Sequence, residues 1–173
     1  PYFVTRYSLF SVHYSLMNIL SYSLKQTQEI AAKLAAQLKS GDVLALAGNL
    51  GSGKTAFVKG LAVGLGCAKN KVLSPTFVLM RQYKGKLTLN HFDLYRLKNI
   101  RQLEQIGYEE YFYSDGITAV EWADKIEECL PREYLRVDFK IIDENKRRLK
   151  FSSYPKNKFA KAIQAIKTST LCG

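Results

Sequence analysis

Apolar residues along the chain alternate between short continuous runs and stretches with helical spacing. The run DVLALAG at residues 42–48 is almost wholly apolar, which is typical of a strand buried on both faces of a sheet. After a glycine-rich turn, residues 54–66 carry apolar side chains at helical spacing and end at Gly66. Another helix is predicted at residues 24–41, with Ser23 as its N-cap. This alternation of strand and helix predicts an α/β sheet.

The remaining patterns extend the same architecture. Residues 99–112 are predicted to form a helix, and residues 155–168 a short amphipathic helix with Phe159, Ile163 and Ile166 on one face. Since consecutive strands joined by a short turn are antiparallel, a hairpin at 134–153 predicts a more antiparallel edge near the C-terminus. Further strands are predicted at residues 18–24, 71–83 and 86–97 and within 116–126, where the strand ends at Glu121.

The length of 173 residues suits one domain with a full hydrophobic core. Residues 1–16 are rich in Tyr, Phe and Ser, and we interpret them as an N-terminal extension of uncertain status that precedes Met17. The predicted organisation is therefore this extension, a main domain at 17–153, and a basic amphipathic C-terminal helix at 154–173. No run of eighteen apolar residues is present, so no membrane span is expected.

Charge is distributed unevenly along the chain. The net charge is +11, and residues 146–173 contain eight Lys or Arg residues and no Asp or Glu. Such a segment fits either contact with RNA or an acidic protein, or a solvated lysine-rich face. Cys67, Cys129 and Cys172 form no CxxC pair, which is typical of a reducing, cytoplasmic environment.

The octapeptide GNLGSGKT at residues 48–55 carries the strongest chemical signal. It fits the pattern G-x-x-x-x-G-K-[ST] at Gly48, Gly53, Lys54 and Thr55, between a predicted strand and a predicted helix. The glycines allow successive backbone N–H groups to surround phosphate oxygens, and the helix N-terminus adds positive potential. Lys54 would contact the β- and γ-phosphates, and the Thr55 hydroxyl would bind Mg²⁺. The turn therefore predicts binding of a nucleoside triphosphate.

Phosphoryl chemistry also requires a carboxylate for Mg²⁺ and a group that positions the attacking oxygen. Asp93 lies at the polar end of one predicted strand, Glu121 ends another, and Asp124 is a third candidate. The carboxyl ends of parallel strands converge at one edge of a sheet, so both Asp93 and Glu121 are expected near the phosphates. The pattern does not decide which of the two binds the metal and which handles water.

Two aromatic residues near these acids allow more than one interpretation. Trp122 is either a core residue or a platform beside the site. His91 is either a histidine satisfied within its strand or part of the site, and we favour the first interpretation. Tyr95 and Arg96 are candidates either for supporting the site or for forming a surface that contacts a partner.

Four segments, in this order, resemble the bacterial TsaE (YjeE) family over about residues 17–150: GNLGSGKT, SPTF at 74–77, HFDLYR at 91–96 and VEW at 120–122. The resemblance implies a three-layer P-loop NTPase sandwich with a mixed, mostly parallel sheet between helices. It also implies a partner-dependent ATPase that uses ATP and Mg²⁺. The family acts with TsaD and TsaB to form N6-threonylcarbamoyladenosine (t6A37) in tRNAs reading ANN codons.

Carried over by position, the resemblance assigns roles to particular residues. Glu121 would hold Mg²⁺ together with Thr55, Asp93 matches a functionally important acid, and Trp122 follows the metal-binding acid. Thr27 would lie near the nucleotide, and the loop at 74–77 would respond to it. Phosphate contacts fall on Gly51, Ser52, Gly53, Lys54, Thr55 and Ala56. The chain departs from the family pattern at Asn49, where Asp is frequent, and at Ala123, where Pro is common.

Three functional hypotheses remain from the sequence. The first is a slow ATPase that works in tRNA modification with TsaD, TsaB and tRNA, the last bound directly or through the complex. The second is a small-molecule kinase, although Arg81, Arg96 and Arg101 are scattered and form no obvious lid. The third is a nucleotide-gated binding module without meaningful turnover.

Overall fold

The computed structural model describes residues 15–67 and 78–168. Within this part, the strands are β1 (Ser15–Ser21), β2 (Val43–Gly48), β3 (Met80–Tyr83), β4 (Leu89–Asp93), β5 (Ile117–Glu121), β6 (Tyr134–Ile141) and β7 (Arg147–Tyr154). The helices are α1 (Leu24–Ala35), α2 (Lys54–Gly64), α3 (Ile100–Gln105), α4 (Tyr108–Phe112) and α5 (Ala160–Thr168), with a 3₁₀ segment at Ala123–Cys129.

The strands form one mixed sheet in the order β1-β7-β6-β2-β5-β4-β3. The four central strands β6, β2, β5 and β4 are parallel to one another. β7 pairs antiparallel with β6, and β1 pairs antiparallel with β7, while β3 closes the other edge antiparallel to β4. The sheet is therefore parallel at its centre and antiparallel at the C-terminal hairpin, as predicted.

The sheet lies between two helical layers. Leu44 and Leu46 of β2 face a large apolar cluster that α1, α2 and α5 complete. Ala45, which points to the opposite face, belongs to a smaller cluster with residues of α3, α4 and the 3₁₀ segment. Strand β2 thus buries side chains on both faces, which explains its continuous apolar sequence.

Local signals place several boundaries as predicted, and others shift. The Ser23 side chain accepts a hydrogen bond from the Gln26 N–H, so it caps α1 as predicted. The strand predicted at 18–24 instead spans Ser15–Ser21. The helix predicted at 99–112 is wrong as one element, because Gly107 adopts φ 64° and separates α3 from α4.

The basic C-terminal segment is part of the sheet and the core. β7 lies inside the sheet between β1 and β6, and α5 packs against α1 and β1. Phe159, Ile163 and Ile166 are buried in the large apolar cluster, as the helical periodicity predicted. Removing residues 146–173 would therefore remove a strand and a helix from the fold.

Some predictions fall outside the described residues. They are the N-terminal extension up to residue 14, the first part of the strand predicted at 71–83, the loop at residues 74–77 that the family resemblance links to nucleotide, and residues 169–173 of the C-terminal segment. Over the ranges 15–67 and 78–168, no helix combines the length and the apolar character needed to cross a membrane. Cys67 and Cys129 are both free thiols.

Candidate functional site

The glycine-rich turn connects the end of β2 to the start of α2. A Cβ at Gly48 would lie 2.6 Å from the Phe139 carbonyl oxygen of the neighbouring strand, so only glycine fits there. Gly53 immediately precedes α2 and adopts φ 104°, which L side chains rarely tolerate. The turn therefore presents bare backbone and the N-terminus of α2 to the same opening, which is the form of an anion-binding cradle.

The first side chain of α2, Lys54, is held across this turn. Its Nζ donates to the carbonyl oxygens of Gly48 at 2.6 Å and Asn49 at 3.0 Å. The same ammonium lies 3.8 Å from the centroid of the Trp122 ring, within the range of a cation–π interaction. Trp122 therefore contributes to the site and is not simply a core residue.

Burial lowers the pKa of Lys54 below its ordinary value of 10.5. The negative charges of Glu121, Asp124 and Asp93 act in the opposite direction and partly restore the protonated form. Three carboxylates thus lie close enough to Lys54 to influence its charge. The region combines one buried cation with an acidic surrounding, as a site for a metal and a polyphosphate requires.

Glu121, at the end of β5, connects the turn with strand β4. Its Oε2 accepts a hydrogen bond of 2.8 Å from the Thr55 hydroxyl, and its Oε1 lies 2.8 Å from Nε2 of His91. The Glu121 residue is 2% exposed and His91 is fully buried. His91 is therefore buried in its strand and also touches the candidate metal-binding acid, an involvement that the favoured sequence interpretation did not include.

Asp93 lies beside Glu121 because β4 and β5 are parallel and pair these two residues in register. Asp93 is 3% exposed, and its Oδ1 accepts a hydrogen bond of 3.0 Å from the Tyr95 N–H. Asp124 is exposed and follows Glu121 beyond the strand end. The structure thus brings Asp93 and Glu121 to one opening, but only Glu121 contacts Thr55 among the described hydrogen bonds.

Lys54, Thr55, Asp93, Glu121 and Trp122 line one cleft of about 450 Å³. Leu24 and Leu50, which are 58% and 68% exposed, form part of its rim, and sequence reasoning did not find them. Leu50 lies within the glycine-rich octapeptide, whereas no local signal marks Leu24, which becomes part of the rim only when α1 and the turn are packed together. Tyr95 also lines the cleft, with its ring centroid 5.2 Å from that of Trp122.

The predicted phosphate-binding residues lie together. The lining of the cleft includes Gly51, Ser52, Gly53, Lys54, Thr55, Ala56, Asp93, Glu121 and Trp122. Thr27 lies behind the turn and is not part of the lining. The Thr27 hydroxyl is hydrogen-bonded to the Ser21 hydroxyl and the Ser23 carbonyl. Its methyl group lies 4.0 Å from the position that a Cβ would occupy at Gly53.

The residues present fit a magnesium–nucleotide complex. The Ser52 hydroxyl oxygen is buried and has no hydrogen-bond partner within residues 15–67 and 78–168, so the turn contains an unused donor. Thr55 and Glu121 supply oxygen atoms of the kind that Mg²⁺ prefers. The described residues contain no cluster of three His, Cys, Asp or Glu side chains able to hold a metal ion alone. Mg²⁺ commonly shares its coordination between few protein groups and the substrate phosphates, which fits this sparse set.

A central parallel sheet, helices on both faces and a glycine-rich turn leading into a helix define a P-loop NTPase fold. The model of the family described as "Threonylcarbamoyl adenosine biosynthesis protein TsaE" matches residues 21–149. The chain therefore belongs to the TsaE family.

Individual relatives agree with this assignment. The tRNA threonylcarbamoyladenosine biosynthesis protein TsaE of Bacillus subtilis is 44% identical over 130 residues, which cover 75% of this chain and 80% of the relative. The protein of the same name from Treponema pallidum is 35% identical over 77% of this chain and 98% of its own length. The crystal structure of Bacillus subtilis YdiB superposes with a TM-score of 0.73 at 32% identity, covering 92% of this chain and 98% of that one.

Proposed function

We propose that this protein is a cytoplasmic, magnesium-dependent ATPase that takes part in tRNA threonylcarbamoyladenosine biosynthesis. The relatives' names support the pathway, and the cleft supports the activity. One observation carries the proposal: the Thr55 hydroxyl at the start of α2 is hydrogen-bonded to the Glu121 carboxylate at the end of β5. This bond joins the phosphate-binding turn to an acid in the manner that a shared magnesium site requires.

Different groups of the chain would contact different parts of ATP. The backbone of Gly51, Ser52 and Gly53 and the α2 N-terminus would hold phosphate oxygens, assisted by the Ser52 hydroxyl. Lys54 would exchange its contacts with the turn carbonyls for the β- and γ-phosphates. The exposed aromatic and aliphatic rim formed by Leu24, Leu50 and Tyr95 would cover the rest of the nucleotide.

Thr55 and Glu121 would hold magnesium, and Asp93 would orient the attacking water. When bound, magnesium would neutralise charge on the phosphates and polarise the bond that breaks. The contact between Thr55 and Glu121 favours this assignment of the two acids. Asp93, paired beside Glu121 in the sheet and nearly buried, is left as the acid that accepts a hydrogen bond from water.

The partners that we propose are homologues of TsaD and TsaB, with t6A37 in tRNAs reading ANN codons as the product of the complex. A direct tRNA contact is supported by the outer face of the C-terminal hairpin. Lys140 lies directly opposite Arg148 in the sheet, and Lys150 lies two residues further along β7. These three cations form no ion pair or hydrogen bond with the described residues, which leaves them available to phosphates.

A small-molecule kinase is less well supported. Such an enzyme needs cations that clamp its acceptor and close over the phosphates. Within the described part of the chain, the lining of the cleft includes Lys54 and no arginine. Arg81, Arg96 and Arg101 are exposed and remain scattered.

The experiment that tests the proposal compares Lys54→Met with Lys59→Met. Both lysines belong to α2, but Lys59 is exposed outside the cleft. Calorimetric ATP binding and ATP hydrolysis are measured for each variant, with and without purified TsaD and TsaB. We expect Lys54→Met to lose both activities and Lys59→Met to retain them. Wild-type ATP affinity in Lys54→Met would refute the nucleotide site, and phosphate transfer to a metabolite would support the kinase.

The pathway and the tRNA contact have separate readouts. Formation of t6A on an unmodified tRNA reading an ANN codon should require the protein together with its two partners. A Lys140→Glu, Arg148→Glu, Lys150→Glu variant should bind this tRNA more weakly and with a shallower salt dependence, while retaining ATP binding. Unchanged tRNA affinity in that variant would remove the hairpin face from the proposal.

A further inference from the structure

We propose that His91 is a positioning residue that holds the Glu121 carboxylate in the orientation needed for magnesium. This inference rests on the proposed magnesium–ATP site and adds a residue that acts through Glu121. It predicts that the imidazole affects how tightly magnesium is bound in the presence of ATP, with no direct contact between His91 and the nucleotide.

Each of the two oxygens of the Glu121 carboxylate has its own hydrogen-bond partner. Thr55 donates to Oε2, and Nε2 of His91 lies within hydrogen-bond distance of Oε1, both at 2.8 Å. A glutamate has three rotatable side-chain bonds, so the backbone of β5 alone does not fix where its carboxylate lies. Two donors on different oxygens do fix the plane of the carboxylate. Because each donor comes from a different element, the carboxylate position depends on the assembled fold.

The sheet register explains how His91 reaches this acid. β4 and β5 are parallel, and His91 is paired with Ala119, two residues before Glu121. The two side chains therefore point to the same face of the sheet and lie diagonally across adjacent strands. The 2.8 Å separation between Nε2 of His91 and Oε1 of Glu121 shows that the two side chains span this diagonal.

The other ring nitrogen shows that this arrangement has a cost. Nδ1 of His91 is buried and has no hydrogen-bond partner within residues 15–67 and 78–168. A buried polar atom left without a partner destabilises the folded state, because it has lost its hydrogen bonds to water. An apolar residue would fill the same volume without that cost. The imidazole is thus explained by what Nε2 does at Glu121 and not by packing alone.

In the neutral ring, one nitrogen donates and the other accepts. A carboxylate only accepts, so Nε2 must carry the hydrogen in this contact, and in a neutral ring Nδ1 is then the acceptor without a described partner. This fixes the expected tautomer. Tyr83 packs beside the ring, with centroids 6.2 Å apart, and offers an apolar wall that a phenylalanine at position 91 would also contact.

Three variants separate hydrogen bonding from packing. His91→Phe keeps a ring and removes the donor, whereas His91→Gln keeps an N–H donor near the position of Nε2. Asn90→Ala is the matched control, because Asn90 is a buried polar residue of the same strand and its amide bonds to Ser114 and Thr118, away from Glu121. The readout is the magnesium concentration that half-saturates binding of a non-hydrolysable ATP analogue, with melting temperature measured in parallel.

We expect His91→Phe to raise this magnesium concentration about tenfold, since partners of metal-binding groups typically contribute 10–100-fold to metal affinity. His91→Gln should restore most of the loss. Asn90→Ala should lower the melting temperature and leave the magnesium requirement unchanged. An unchanged requirement in His91→Phe, or an equal rise in Asn90→Ala, would overturn the positioning role.

A measurement on the wild-type protein tests the inference even where a variant does not fold. The chain contains two histidines, so long-range ¹H–¹⁵N spectra can distinguish the His91 tautomer. We expect hydrogen on Nε2, and hydrogen on Nδ1 alone would overturn the proposal. If the wild type binds the analogue with no magnesium dependence, the proposed magnesium site and this inference both fail. If the wild type shows that dependence and His91→Phe matches it, only the inference fails.

Discussion

Gly60 lies in the middle of α2, and replacing it with alanine tests how closely α1 and α2 pack. An alanine Cβ at this position would clash with the Gln28 carbonyl oxygen and would lie 2.7 Å from the Gln28 Cα. It would also lie 2.8 Å from the Ala31 Cβ. Two of these three atoms belong to the backbone of α1, so the contact cannot be relieved by rotation of a side chain.

Two opposing effects determine the sign of the change. Alanine is favoured over glycine in a helix interior by up to about 1 kcal/mol. Overpacking of a close contact costs about 1–3 kcal/mol, and a contact with backbone atoms, which cannot rotate away, lies at the upper end of that range. The expected net effect of Gly60→Ala is a destabilisation of about 2 kcal/mol. For a chain of this length, that corresponds to a melting temperature lowered by about 4–8 °C.

Thermal and urea unfolding of Gly60→Ala, monitored by circular dichroism, provide the measurement. Lys59→Ala is the control, because it introduces the same side chain at the adjacent exposed position of α2. We expect the control to remain within about 0.5 kcal/mol of the wild type. If Gly60→Ala proved as stable as the wild type, the added Cβ would cost no more than the small gain in helix propensity, and the close α1–α2 packing would be refuted.

Further predictions concern the cleft. Asp93→Asn should reduce ATP hydrolysis by about 10²-fold while retaining magnesium–ATP binding, and lost binding would contradict a role in positioning water. Glu121→Gln should raise the magnesium requirement, and an unchanged magnesium titration would transfer that role to Asp93. Because burial lowers the pKa of Lys54, its charge opposes folding at neutral pH. Without nucleotide, the melting temperature of the wild type relative to Lys54→Met should therefore rise as the pH increases from the lowered pKa towards 10.5, the range in which the folded wild type has lost a proton that the unfolded chain keeps. A difference independent of pH would refute the role of that charge.

The sequence alone determined the elements whose signals are local. The glycines of residues 48–53, the continuous apolar run of β2 and the periodic apolar residues of α2 predict a strand, a turn and a helix because each constrains its immediate neighbours. Ser23 likewise marks the start of α1, since an N-cap acts within three residues. The family resemblance likewise rested on short segments, at residues 48–55, 74–77, 91–96 and 120–122.

Only the tertiary structure decided which groups Glu121 contacts. Thr55 and Glu121 are separated by 66 positions, and His91 and Glu121 by 30, so their contacts depend on strand order and register. The aliphatic rim of the cleft and the place of the basic C-terminal segment inside the sheet were decided in the same way. Local sequence patterns do not show which residues distant in sequence will be in contact, because those contacts are fixed by the packing of the whole sheet and its helices.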